Sequence, residues 1–197
     1  MTAFKRSTLA ASLAALTFGL SASADDGKPD NFRARLSSYN EVHFIAAPTP
    51  ALRGAISSVA TGSFRAEIDD RRDIIHYELS YSGLESDVTQ SHIHFGQRHT
   101  VGGIVVWLCQ AIARAPAAVA AATPECPGAR EGTVSGTITP QQVLDVVGQG
   151  IAAGEFEELV RAIRAGATYA NVHTVVNAPG EIRGALRHGG RGHDGHD

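Results

Sequence analysis

From Phe32 to Leu186 the chain alternates apolar and polar residues in short runs, each closed by Gly, Pro, Asp or Asn. Phe32, Ala34 and Leu36 alternate with Arg33, Arg35 and Ser37. Ala60, Gly62, Phe64, Ala66 and Ile68 repeat the pattern, and Ile75, Tyr77, Leu79 and Tyr81 continue it beyond the charged cluster Asp69–Asp73. A period of two is that of a strand with one buried face, so the last two runs predict a hairpin. Further strands are expected over Val88–Phe95, Ile104–Leu108, Thr133–Thr139, Thr168–Val176 and Glu181–Leu186, with Asn177-Ala178-Pro179-Gly180 as the last turn.

Helical periodicity is confined to one late stretch. Thr139, Pro140 and Gln142 suit the start of a helix ending before Gly148. Phe156, Leu159, Val160 and Ile163 recur at helical spacing between Gly154 and Gly166, with Glu155, Glu157 and Glu158 in the early turns. This amphipathic segment is read as a cover for the sheet, with a partner-binding helix as the alternative. The expectation is one all-β domain over 31–187: an antiparallel Greek-key-like sandwich or partly closed barrel with two short crossover helices.

The ends of the chain read differently. Lys5 and Arg6, the uncharged stretch Thr8–Leu20 and Ala22-Ser23-Ala24 have the form of a signal peptide over 1–24, followed by a flexible start over 25–30. The alternative, a retained membrane helix, needs about 20 apolar residues. The protein is therefore expected to be exported, periplasmic or secreted, with no membrane span after signal removal. The last residues, 188–197, are Gly, His and Asp with one Arg, and predict a disordered tail. Its His188, His193 and His196 are candidates for loose metal binding.

Charge and cysteine content narrow the function classes. The 17 Lys+Arg and 20 Asp+Glu give a net charge of −3, and loss of Lys5 and Arg6 with the leader would lower it by two more. Such a chain has no broad attraction for phosphate backbones, so nucleic acid is not an expected partner. The 2 cysteines, Cys109 and Cys126, flank an Ala/Pro-rich excursion and in an exported chain are expected to form a disulfide; two separately buried thiols are the alternative.

The main chemical clue is Ser91-His92-Ile93-His94-Phe95-Gly96. On a strand His92 and His94 share a face, where two imidazoles can present lone pairs to Cu or Zn. His173 from a late strand and His99 from the following loop are the further candidate ligands. Asp87, Glu78 and Glu181 are candidates to support them. The alternative is histidines hydrogen-bonded to sheet edges and loop carbonyls. Asn171, Glu181 and Arg183 are expected to form a structural polar network, and Trp107 to fill the core. No catalytic residues are assigned: no G-x-S-x-G, H-E-x-x-H, Walker A or dinucleotide fingerprint occurs.

Leu36-Ser37-Ser38-Tyr39-Asn40-Glu41-Val42, Ser91-His92-Ile93-His94, Tyr169-Ala170-Asn171-Val172-His173-Thr174 and Gly180-Glu181-Ile182-Arg183-Gly184 together resemble the CHRD family, named for a domain found in chordin and present in exported bacterial proteins. The resemblance runs over about 31–186. It implies a β-rich extracellular module and no general enzyme activity. His92-Ile93-His94-Phe95-Gly96 is also similar to a copper-ligand segment of copper-zinc superoxide dismutase, whose remaining ligand pattern is not recognisable here. The leading expectation is an exported noncatalytic binding module for an unidentified extracellular or envelope ligand, with Cu or Zn as candidate cofactor and oligomeric state open. The alternatives are a structural or stress-protective envelope protein and a metal-dependent redox enzyme.

Overall fold

The computed structural model describes residues 30–45, 52–111 and 113–189. The expected leader over 1–24, the early proline segment 46–50 and the tail histidines His193 and His196 lie outside the described residues. Eleven strands are present among the described residues: β1 (Asp30–Ser37), β2 (His43–Ile45), β3 (Leu52–Gly54), β4 (Thr61–Asp69), β5 (Ile74–Ser82), β6 (Val88–Phe95), β7 (Gly103–Gln110), β8 (Gly132–Ile138), β9 (Thr168–Thr174), β10 (Ile182–Ala185) and β11 (Arg187–His188). Two short α-helices join them, α1 (Ala117–Ala120) and α2 (Phe156–Arg164).

Nine strands make one antiparallel sheet in the order β7-β6-β9-β10-β1-β4-β5-β8, with β11 beside β1; β2 and β3 form a separate ribbon. The sheet curls into a near-barrel. Tyr77 on β5 reaches across to donate its hydroxyl proton to Leu108 O on β7 at 2.7 Å, tying strands near the two open edges. Alternation decides which side faces in. Phe32, Ala34, Leu36, Phe64, Ile75, Leu79, Ile93, Val172 and Ile182 are buried together in the core, as period two demands. The expected hairpin of β4 and β5 forms, with Phe64 opposite Leu79 and Ile68 opposite Ile75.

α2 covers the core with Phe156, Leu159, Val160 and Ile163, and Gly166, at φ 66°, ends it. Arg164 fastens its last turn to Asp30 at 2.8 Å and Asp70 at 2.6 Å. The other crossover helix is shorter than its sequence suggests. Only one 3₁₀ turn forms, Pro140–Gln142, where the Thr139 N–H donates to Gln142 Oε1 at 3.0 Å. Beyond it the backbone finds better partners: Leu144 N–H bonds to Val105 O on β7, and Val146 bridges Ile151. Buried Val143 and Val146 thus face the core from an extended segment.

Cys109 and Cys126 form a disulfide, with Cα atoms 4.9 Å apart across a sequence separation of 17. The loop it closes contains α1, which alternation does not indicate. Gln110 holds that loop: its side-chain amide donates to Ala120 O and Thr123 O and accepts from the backbone N–H groups of Arg114 and Ala115. Strand order also extends slightly past the expected domain limits. Asp30 pairs with Ile68, and His188 lies opposite Phe32 with its Nε2 2.7 Å from Asp30 Oδ1. His188 is therefore part of the sheet margin rather than of a tail.

Candidate metal centre

The face of β6, β9 and β10 that turns away from the core carries polar side chains in cross-strand rows. One row is His92, Asn171 and Arg183; the next is His94, Tyr169 and Ala185. His173 stands two residues beyond Asn171 and therefore on the same face. This face is buried all the same, because loops cover it: His92 is 0 %, His94 7 % and His173 5 % exposed. Every residue of β9 is buried, one side by the core and the other beneath these loops.

His92, His94 and His173 converge. One ring nitrogen from each lies within 4.8 Å of the other two. His173 Nδ1 faces Ala178 O at 2.9 Å and His94 Nδ1 faces Gly102 O at 3.0 Å. A carbonyl accepts only, so both rings carry their proton on Nδ1 and keep the Nε2 lone pair. His92 Nδ1 lies 3.1 Å from His173 Nε2, and as His173 Nε2 has no proton, His92 is the donor. The Nε2 atoms of His92 and His94 are buried with no hydrogen-bond partner. Burial holds all three imidazoles neutral. His94 is lowered to about 3 and His173 to about 4, each chiefly by burial and partly offset by its carbonyl bond. His92 falls well below the usual value, through burial first and then its two histidine neighbours.

Aromatic rings wall the cluster. Trp107 meets His92 edge-on at 4.2 Å between ring centroids, and Tyr169 stacks on His94 at 4.8 Å with the planes 4° apart. Trp107 is buried as expected, but it packs against the histidines rather than within the main apolar cluster. Two register shifts between β6 and β7, at Ser91/His92 and Ile93/His94, put Trp107 opposite His92.

Arg183, 2 % exposed, closes the roof. It donates to Asn40 O at 2.8 Å, Thr100 O at 2.9 Å and Arg98 O at 2.8 Å, and its guanidinium sits 4.4 Å from the Tyr169 ring centroid. The loop that supplies Gly102 O to His94 is thereby pinned to β10. The charge partner is Glu41, 3.9 Å from Arg183 Nε and accepting from Asn171 Nδ2 at 2.6 Å. Burial raises the Glu41 carboxyl, against the Val42 N–H, Arg183 and Asn171. Gly180 is required beside this pair. Its φ is 135°, and a Cβ there would sit 2.6 Å from both Asn171 Nδ2 and Glu41 Oε2.

The candidates named from sequence divide accordingly. His92, His94 and His173 come together. His99 is exposed on the loop after β6 and lies outside the cluster. Glu181 does not share the Asn171–Arg183 network: its carboxylate accepts from Ser58 Oγ, Glu85 N–H and Thr174 Oγ1. Asp87 is exposed and pairs with Arg130, and Glu78 is exposed on β5. Sequence reasoning does not place Glu41 in the network, although its motif Asn40-Glu41-Val42 is visible.

Three neutral imidazoles with fixed tautomers, held behind aromatic walls, form a cluster capable of coordinating Cu or Zn. The CHRD domain family model matches residues 32–186, and the chain belongs to that family. No curated protein and no solved structure matches the chain. No helix among the described residues is long and apolar enough to cross a membrane.

Proposed function

We propose that this chain is an exported, noncatalytic CHRD-domain module that holds one Cu or Zn ion through His92, His94 and His173. The observation that carries this reading is the pair of buried Nε2 atoms on His92 and His94 with no partner, beside a third imidazole whose tautomer is also set by a carbonyl. Leaving buried polar atoms unmatched costs about 1–3 kcal/mol each, and a metal ion removes that cost. Loading replaces the His92–His173 hydrogen bond, because the His173 Nε2 lone pair is then given to the ion. Export rests on the leader-like N-terminal sequence and on the Cys109–Cys126 disulfide, which suits an oxidising compartment.

The test is metal analysis of the full chain purified without a His tag and carrying His193→Ala and His196→Ala, so that the tail contributes no imidazole. After loading with Zn or Cu and removal of loose ions, the protein is expected to retain one equivalent. Retention of substantially less than one equivalent by the folded protein would remove the reading.

A further inference from the structure

Strand register concentrates positive charge on the outer face of the sheet. Arg187 on β11 lies opposite Arg33 on β1, and Arg33 lies opposite Arg65 on β4. Arg35 follows two residues along β1, on the same face. On its other side Arg65 lies opposite Glu78 on β5, where the row of arginines ends. With Arg98 and Arg183 these arginines line a cleft of about 590 Å³, with no Asp or Glu among the described residues of its wall. The net charge of the chain is −3, so the cluster does not follow from composition.

Pairing sharpens the contrast. Arg72, Arg130, Arg161 and Arg164 each meet a carboxylate. Among the described residues no carboxylate pairs with Arg35, Arg65, Arg98 or Arg187. Arg183 is committed to the carbonyls of Asn40, Arg98 and Thr100, and so it fixes the loop bearing Arg98 at the cleft margin. Asn40 and Ser63 add uncharged hydrogen-bonding groups to the wall.

We propose that this cleft binds a soluble, sugar-sized ligand carrying two or more oxyanion groups, of the sulfate, phosphate or carboxylate class. Guanidinium forks match such groups with paired N–H donors. The volume is that of a small-molecule site. A single-stranded nucleic acid would call for exposed aromatic platforms, whereas the aromatic rings lining the cleft, Phe64 and Tyr169, are 0 % and 3 % exposed. The proposal does not depend on a metal at the histidine cluster.

Calorimetric titration of the full chain with sucrose octasulfate, using uncharged sucrose as the matched control, tests it. Saturable one-to-one binding of the octasulfate alone is expected, weakened by added NaCl. Removing guanidinium groups with Arg35→Gln and Arg65→Gln should weaken binding about tenfold per group. Arg98→Gln, on a separate loop, should weaken it similarly, which keeps the test decisive if the strand variant folds poorly. Arg71→Gln with Arg114→Gln, on exposed arginines elsewhere, should leave affinity unchanged. Absence of saturable binding overturns the proposal. So does an equal loss in the Arg71/Arg114 control, or binding seen only with phosphatidylglycerol vesicles or a single-stranded oligonucleotide.

Discussion

His92 Nδ1 and His173 Nε2 lie 3.1 Å apart, and the Ala178 carbonyl on the far side of His173 determines which of them carries the proton. This chain of two rings and one carbonyl is the most specific feature of the site. It fixes His173 with its lone pair turned inward, and it leaves the His92 Nε2 buried and unmatched. A ligand set in this state needs no deprotonation at neutral pH, because none of the three rings is charged.

Removing one ring therefore should act on the metal more than on the fold. His92→Ala is expected to lower Zn or Cu affinity by at least about tenfold, the scale on which even outer partners of metal ligands act. His76→Ala, on an exposed position of β5, should leave affinity unchanged. Competition titration against a chromogenic chelator reads both; equal affinities in the two variants would contradict the assignment.

Acid should destabilise the metal-free protein. The unfolded imidazoles titrate near 6.5, whereas folded His94 is lowered to about 3, His173 to about 4 and His92 well below the usual value. Below pH 6.5 the unfolded chain takes up protons that the fold refuses, so these groups lose stability as pH falls toward 4. The slope is about 1.4 kcal/mol per pH unit for each ring that stays neutral. Urea unfolding of stripped protein at pH 7.5 and 5.0 should show a lower midpoint at pH 5.0; an unchanged or higher midpoint would contradict neutral burial.

Arg183 is expected to be structural and costly to lose. Arg183→Ala strands Glu41 and frees the carbonyls of Asn40, Arg98 and Thr100, and should cost about 3–5 kcal/mol. Arg183→Lys keeps the charge but supplies one point in place of a fork, so it should recover only part of the loss. Denaturant unfolding of both variants provides the comparison, and a loss below about 1 kcal/mol for Arg183→Ala would refute the role.

Reduction of Cys109–Cys126 frees the loop that contains α1. Closing a loop of this length lowers the entropy of the unfolded chain, worth about 3 kcal/mol, so the reduced protein should be less stable by that amount and unfold at lower denaturant. Matching midpoints with and without reductant would show that the bond leaves stability untouched.

Most of the strand pattern was legible because a one-sided sheet writes period two into its residues, as in Phe32–Leu36 and Ile75–Tyr81. The shared face of His92 and His94 was legible for the same reason. The site's completion was not. Gly102 and Ala178 act through backbone carbonyls, which residue identity does not announce, and Glu41 reaches Asn171 from 130 residues away. Trp107 followed β-bulges, which alternation conceals. The segment after Pro140 carried a helix start, but the backbone of β7 offered Leu144 a better bond, and tertiary pairing prevailed over local preference.

The central claim is that three imidazoles converge on one ion, and X-ray absorption at the metal edge of the loaded protein measures that most directly. For Zn in the chain bearing His193→Ala and His196→Ala, three imidazole nitrogens are expected at about 2.0–2.1 Å. Loss of His173 by substitution with Ala should remove one of them. A first shell made of oxygen alone, or one with fewer than three imidazoles in the unsubstituted site, would contradict it.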